Sequence, residues 1–221
     1  IMAIDKVTSA AITDSSVTDA KLSFNSNQFR NIIINGDMSI AQRATSASSL
    51  TSSGYHSVDR YTTSITNIGT WTQSQSTTVP TGQGFSTSLK MDCTTADASP
   101  AADDALFIKH KIEGQNLQYL KKGTSSAESL TLSFWVRSNK TGTYITRLQD
   151  ADNSRNISQS YTISSADTWE KKTLTFAGDT TGALGNDNGS SLELNFWLGA
   201  GSTYTSGTLN TTWNSLVLAN R

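Results

Sequence analysis

Two seven-residue segments of this chain share one pattern, in which leucine and phenylalanine occupy alternate positions and a tryptophan comes directly after the phenylalanine. The segments read LTLSFWV at 130–136 and LELNFWL at 192–198. Because successive side chains of a strand point to opposite faces, each segment predicts a strand with one apolar face. We expect both apolar faces to line the core, and Trp135 and Trp197 to point away from it. The predicted core positions are Leu130, Leu132, Phe134 and Val136 in the first segment and Leu192, Leu194, Phe196 and Leu198 in the second.

Further short segments of this kind occur along residues 30–221, with turn-forming clusters between them. Residues 106–113 and 169–176 read as strands, while Asp, Asn and Gly crowd the stretches 150–156 and 185–189. Near the start, Asn35 and Gly36 favour a tight corner between two extended segments, because both residue types accept positive φ. Many short strands with little helical periodicity predict an all-β fold for residues 30–221, an antiparallel β-sandwich of the jelly-roll type.

The first 29 residues differ in kind from the rest of the chain. Their apolar residues fall five apart, a spacing that matches neither the helical period of 3.6 nor the strand period of 2. Such a segment buries too little apolar surface to order itself alone. We therefore expect residues 1–29 to be an extended N-terminal connector that other copies or a partner order, and a plain linker with accidental spacing is the alternative. The positions in register are Val7, Ile12, Val17 and Leu22.

The charge balance argues against two classes of partner. The 221 residues carry a formal net charge of −1, so no global positive field attracts nucleic acid. No run of about 18 apolar residues occurs, so the sequence predicts no membrane insertion. We expect neither nucleic acid nor a bilayer as a partner.

Catalytic patterns are also absent from the sequence. It contains no G-x-S-x-G, H-E-x-x-H, Walker or G-x-G-x-x-G motif. A glycosidase needs two carboxylates that face each other, but the acidic pairs here lie in turn-like stretches where solvated carboxylates are common. Those pairs are Asp103 with Asp104 and Asp150 with Asp152. We expect no enzymatic activity and no catalytic residues.

Four segments together carry a resemblance. They are RNIIINGDMSIAQR at 30–43, VDRY at 58–61, IEGQNLQYLKKGTSSAESLTLSFWVRS at 112–138 and DTWEKKTLTFAGDTTG at 167–182. The ensemble resembles a domain common in tail-fibre and other virion proteins of tailed phages, and ITDSSVTDAKL at 12–22 resembles the connector repeats of such fibres. More loosely, the domain is similar to jelly-roll carbohydrate-binding modules.

The resemblance implies a structural protein located in the virion, on the tail or the capsid surface. It implies a homotrimeric tail-fibre or head-fibre subunit that takes part in attachment to the host surface, with residues 1–29 bound to other virion proteins. A capsid decoration protein and a glycan-binding module are the alternatives.

Three carboxylates could serve a structural calcium ion, although we expect no cofactor. Asp150 and Asp152 supply hard oxygen ligands at alternate positions, but the glycine and closing glutamate of an EF-hand are missing. The resemblance to carbohydrate-binding modules implies a cation at the corner that contains Asp37. Asx turns are the alternative for all three.

The two predicted outward-pointing tryptophans are the strongest candidates for a binding role. An exposed indole stacks on a pyranose ring, and nearby Arg137, Glu193 and Asn195 could hydrogen-bond its hydroxyl groups. The same face could instead pack against a loop or a neighbouring subunit, since exposed aromatic residues often mark protein interfaces. Both interpretations treat Trp135 and Trp197 as parts of one surface.

Overall fold

A computed structural model describes residues 31–220 of the protein, and the chain divides into two units, Ile1–Ile32 and Ile33–Arg221. Within residues 31–220, the strands and the helix all belong to the second unit. The predicted connector lies outside the described residues, together with Val7, Ile12, Val17 and Leu22.

Nearly all regular structure in the described residues is β. The strands are β1 Ser46–Leu50, β2 Gly54–Tyr55, β3 Tyr61–Thr66, β4 Thr70–Ser76, β5 Ser88–Thr95, β6 Ala105–Glu113, β7 Leu130–Val136, β8 Gly142–Asp150, β9 Arg155–Ile163, β10 Glu170–Phe176, β11 Ser190–Ala200 and β12 Asn214–Ser215. One short helix, α1 Ser202–Thr205, comes after β11, and two 3₁₀ turns, Gly114–Asn116 and Gln118–Leu120, connect β6 to β7. Every strand pairing is antiparallel, so the predicted all-β antiparallel fold is confirmed.

Seven of the strands form one sheet, in the order β12-β9-β8-β11-β6-β3-β2. Strand β11 lies at its centre and pairs with β6 on one side and with β8 on the other. The other strands form a two-stranded sheet, β10-β7, and a three-stranded sheet, β1-β4-β5. The two tryptophan-bearing strands, β7 and β11, therefore belong to different sheets.

Both small sheets pack on the same face of the seven-stranded sheet. Phe134 of β7 meets Phe196 of β11 edge-on, with ring centroids 5.1 Å apart. The Gln73 amide of β4 donates to the Thr63 hydroxyl of β3 at 2.6 Å. The register through Ile108 of β6 places Thr63 and Phe196 on one face, which we call the inner face, and the opposite side is the outer face. The protein is thus a β-sandwich, and the finer assignment to a jelly roll stays a prediction.

The predicted apolar faces of β7 and β11 do line this interface. Leu192 and Leu194 are 1% and 3% exposed, and burying such a side chain contributes about 1.5–3 kcal/mol. The β7 positions Leu130, Leu132, Phe134 and Val136 are half-buried, because β7 belongs to a sheet of only two strands. Leu198 is half-buried too, since a register shift interrupts β11 between Trp197 and Gly199.

The predicted corner at Asn35 is present, but no strand flanks it. Residues 31–44 form a turn and irregular chain, and the first strand that the structure describes begins at Ser46. The Asn35 amide donates to the carbonyls of Ile40 and Asp59, both at 2.9 Å, and its Oδ1 accepts from the Ile40 N–H at 2.9 Å. Because one side chain supplies these bonds, the corner needs no ladder of backbone pairing. Asn35 has φ 57, a left-handed value that asparagine tolerates.

Candidate functional site

The outer face of β11 carries three of the five predicted binding residues. Glu193, Asn195 and Trp197 alternate along the strand and share this face, opposite Leu192 and Leu194. Lys109 of the neighbouring strand β6 pairs with Glu193, with Nζ and Oε2 2.8 Å apart.

Trp197 is buried rather than open to a ligand. Its side chain is 5% exposed, and its ring stacks on Phe107 with centroids 4.5 Å apart. Tyr204 of α1 lies at 5.5 Å, and the Arg147 guanidinium carbon lies 5.4 Å from the indole centroid. Trp197 does point away from the inner face, as expected, but its ring is covered, so the sugar-stacking interpretation is wrong at this position and the alternative of packing within the protein describes it. The physical reason is that β11 is the central strand, so neighbours on both sides enclose its side chains.

The polar residues beside Trp197 are buried as well. Glu193 is 6% exposed and Asn195 is 0% exposed within the single chain. A glycan or a second subunit could not reach them without displacing what already encloses them. This face of β11 is thus part of the folded interior of the chain.

Trp135 lies on the opposite side of the sandwich from Trp197. Phe134 points from β7 towards the inner face of the seven-stranded sheet, so Trp135 points away from that sheet. Trp197 points away from the inner face in the other direction, because it alternates with Phe196. The two tryptophans therefore cannot form one platform, which corrects the single-surface prediction. Trp135 itself is half-buried.

Arg137 lies beyond the end of β7 and has a local partner. Its Nε donates to the Asp167 carbonyl at 2.8 Å, and its guanidinium pairs with the Asp167 carboxylate at 3.2 Å. The pair is largely exposed, so it contributes little to stability. It connects the end of β7 to the chain just before β10.

The three carboxylates proposed for calcium are each engaged separately. Asp152 Oδ2 accepts from the Gly185 N–H at 2.8 Å, and Asp37 Oδ1 accepts from the Ser39 hydroxyl at 3.0 Å. Asp150 is fully buried and contacts Lys122. No group of three or more His, Cys, Asp or Glu residues suited to a metal ion occurs within residues 31–220.

A buried charge network surrounds Asp150, and no local sequence pattern indicates it. Lys122 Nζ lies between Asp150 and Asp179, 3.0 Å from an Asp179 carboxylate oxygen. Arg155 donates to the same carboxylate through two nitrogens at 2.7 and 3.0 Å. Burial by itself raises the pKa of Asp179, but the hydrogen bonds from Arg155 and Lys122 outweigh it and hold that pKa below its ordinary value. The network ties the β6–β7 connection to the ends of β8, β9 and β10.

His110 is a second buried titratable group, and it lies on the inner face. It is 0% exposed, and its ring lies 5.0 Å from that of Tyr61. Burial, aided by the charge of Arg60, lowers the pKa of His110 to about 4. Its Nε2 accepts from the Ile34 N–H at 3.4 Å. A neutral histidine here serves the packing of the corner against β6.

An open groove lies on the outer face, where β2 and the ends of β6 and β11 meet. Its volume is ≈ 180 Å³. The residues whose side chains define it are mostly polar or aromatic, and they are Tyr55, Arg60, Lys111, Glu113, Asn188 and Ser190. Alternation along 106–113 predicts Lys111 and Glu113 on one face, as the structure has them, but only the strand register brings Tyr55 and Ser190 beside them.

No helix among the described residues is long and apolar enough to cross a membrane. No family model matches the sequence, and no curated protein matches it either. Among solved structures, the chain is similar to the enzymatically active domain of tailspike protein 4 of bacteriophage CBA120, with 17% identity and a TM-score of 0.44. The match covers 77% of this chain and 19% of that chain, so the chain spans about a fifth of that protein's length. A likeness at this level carries no argument about function, which has to come from the residues themselves.

Proposed function

We propose that this protein is a non-enzymatic structural component of a tailed-phage virion, a trimeric tail-fibre or head-fibre subunit that takes part in host attachment. One observation carries the proposal. The four sequence segments that resemble phage fibre domains assemble in pairs, and each pair builds part of the framework of the sandwich. Residues with such roles shape a scaffold, whereas catalytic residues converge on a cleft.

The first pair consists of the Asn35 corner and the VDRY segment at 58–61. The side chain of Asn35 donates to the Asp59 carbonyl, and the Asp59 N–H donates to the Ile40 carbonyl at 3.0 Å. Val58 and Tyr61 are 1% and 3% exposed, so the VDRY segment is anchored in the core. The corner is thereby fixed to the start of β3.

The second pair consists of β7 and β10. These strands pair over their whole length, from Glu170 opposite Val136 to Phe176 opposite Leu130, with no register shift. Phe176 is 1% exposed. The pairing supplies the small sheet that covers the inner face, so these two segments are again fold-determining.

Trimer formation and attachment to the particle are assigned to residues 1–29. Four apolar residues at a spacing of five would gain little by packing within one chain, but three chains side by side could bury them together. The residues are Val7, Ile12, Val17 and Leu22. The same segment would then hold the subunit to other virion proteins.

Sedimentation of the full chain tests the assembly. We expect a trimer, and we expect the quadruple variant V7S/I12S/V17S/L22S to sediment as a monomer. The matched control changes the residue after each apolar position, as T8S/T13S/T18S/S23T, and should remain trimeric. A wild-type monomer at high concentration would overturn the trimer, and absence of the chain from purified particles by mass spectrometry would overturn the virion assignment.

The non-enzymatic part of the proposal has its own test. Host surface polysaccharide is incubated with the full chain, and released reducing ends are measured. We expect none above background. Release of reducing ends by the purified chain would overturn the non-enzymatic part of the proposal. The structural role would then depend on whether the chain is found in purified particles.

A further inference from the structure

The groove on the outer face combines one exposed aromatic ring with charged groups of both signs. Tyr55 pairs with Thr62 across β2 and β3, and Thr62 pairs with Lys109, so Tyr55 lies on the same face as Lys109 and Lys111. Tyr55 is 43% exposed, and the Arg43 guanidinium lies 5.3 Å from its ring centroid. An exposed aromatic beside convergent polar groups is typical of sites that take sugars and other amphipathic ligands.

The charged groups in the groove are only loosely paired with one another. Arg60 and Glu113 lie 3.7 Å apart, with side chains 36% and 34% exposed, so water or a ligand can exchange with this contact. Lys111 adds a second positive charge to the same wall. Two cations against one carboxylate leave the groove with one net positive charge.

Two further features occur at the groove. Ser190 is one of the residues that line it, and the buried Ser190 hydroxyl has no hydrogen-bond partner within the part of the chain that the structure describes. Such a group costs free energy unless a ligand or water satisfies it. Arg60 has φ 73, a left-handed conformation that is uncommon for arginine and that clusters at ligand sites.

We propose that this groove binds a sugar unit that bears a carboxylate, of the uronate class, at the end of or within a surface polysaccharide. Arg60 and Lys111 neutralise the ligand carboxylate. Glu113 and Asn188 hydrogen-bond its hydroxyl groups, and the ring of Tyr55 contacts its C–H face. The groove is distinct from the Trp135 and Trp197 positions, and the inference goes beyond the proposed structural role.

Titration of the full chain with methyl glucuronide, with methyl glucoside as the matched neutral ligand, tests the site. Binding is measured by the NMR shifts of the protein. We expect saturable binding of the glucuronide and at least about tenfold weaker binding of the glucoside, which corresponds to about 1.4 kcal/mol. Equal affinity for the two ligands, or no saturation by either, would overturn the proposal.

Two variants and one control locate the site. Tyr55→Ala should weaken binding of both sugars about tenfold, and Lys111→Gln should weaken the glucuronide while leaving the glucoside unchanged. Lys140→Gln, which removes an exposed lysine from a bend outside the groove, should change neither. Equal loss in Lys140→Gln and Lys111→Gln would show general charge attraction and refute the site. Failure here leaves the virion assignment intact, because particle composition decides that separately.

Discussion

Replacement of Lys122 by methionine should destabilise the protein far more than the same change at its neighbour. The Lys122 side chain is 6% exposed and lies between Asp150 and Asp179, which are 0% and 3% exposed at their side chains. Its Nζ also donates to the Gly182 and Thr181 carbonyls at 2.9 and 3.2 Å. Methionine keeps the length of the side chain but removes the charge and every one of these bonds.

The magnitude depends on the partners that the two carboxylates retain. Asp179 keeps both bonds from Arg155, whereas Asp150 keeps only the N–H and the amide of Asn153, each at 2.9 Å. Removing one partner from a buried ion pair costs about 3–5 kcal/mol, because the other charge stays buried without compensation. For a domain of this size, about 2–4 °C per kcal/mol converts this to a decrease of about 6–20 °C in Tm.

Lys121 provides a matched control one residue away. Its Nζ pairs with Glu128 at 2.8 Å, but both side chains are 54% exposed. An exposed pair contributes less than about 1 kcal/mol, so Lys121→Met should change the free energy of unfolding by less than that. Both variants are compared by guanidinium unfolding monitored by circular dichroism at pH 7.

Lys122 and Asp150 should also be energetically coupled. Asp150→Asn removes the buried carboxylate charge that Lys122→Met leaves without its partner. In the Lys122→Met background, Asp150→Asn should therefore lower the free energy of unfolding by about 2 kcal/mol less than it does in the wild type. Equal losses for Lys122→Met and Lys121→Met would refute the role of the buried charge. So would strict additivity of Lys122→Met and Asp150→Asn.

Two further predictions concern the corner and the inner face. Burial lowers the pKa of His110 to about 4, below the value of about 6.5 of an exposed histidine, so the unfolded chain takes up a proton between these pH values and the folded chain does not. The free energy of unfolding should therefore fall by roughly 3 kcal/mol as the pH drops from about 6.5 to about 4. In the His110→Gln variant, urea unfolding at several pH values should show that this dependence on pH is lost. An unchanged dependence would show that His110 is not its source. Asn35→Ala removes three hydrogen bonds at a left-handed position and should lower the free energy of unfolding by about 2 kcal/mol. Asn35→Gly removes the same bonds, but its loss should be smaller by up to about 1 kcal/mol because glycine accepts that φ. Equal stability of all three proteins in guanidinium would show that the corner contributes nothing.

The local sequence pattern predicted some features of the site and not others. Alternation placed Glu193, Asn195 and Trp197 on one face of a strand, as the structure has them. It could not reveal that this face is buried, because burial depends on strands and segments far away in sequence. The corner at Asn35 was likewise readable from turn chemistry, but its bond to Asp59 crosses 24 positions and needed the fold.

The sequence did not predict the charge network or the groove, because the residues of each come together from positions far apart in the chain. Lys122 lies in the connection between β6 and β7, and its partners Asp150 and Asp179 lie 28 and 57 positions further along the chain. Ser190 reaches the groove through the register of β11 on β6. Taken as a whole, the residues of neither the charge network nor the groove recur at a helical or strand period in the sequence.

The amino-acid sequence by itself determined that the chain folds into antiparallel strands and which side chains of each strand share a face. The cause is local, since the backbone of a strand sends successive side chains to opposite sides whatever surrounds it. Only the tertiary structure decided that β7 and β11 belong to different layers, and this sends Trp135 and Trp197 to opposite sides of the sandwich. Layer membership depends on hydrogen bonding between segments far apart in the chain, which no single stretch of sequence encodes.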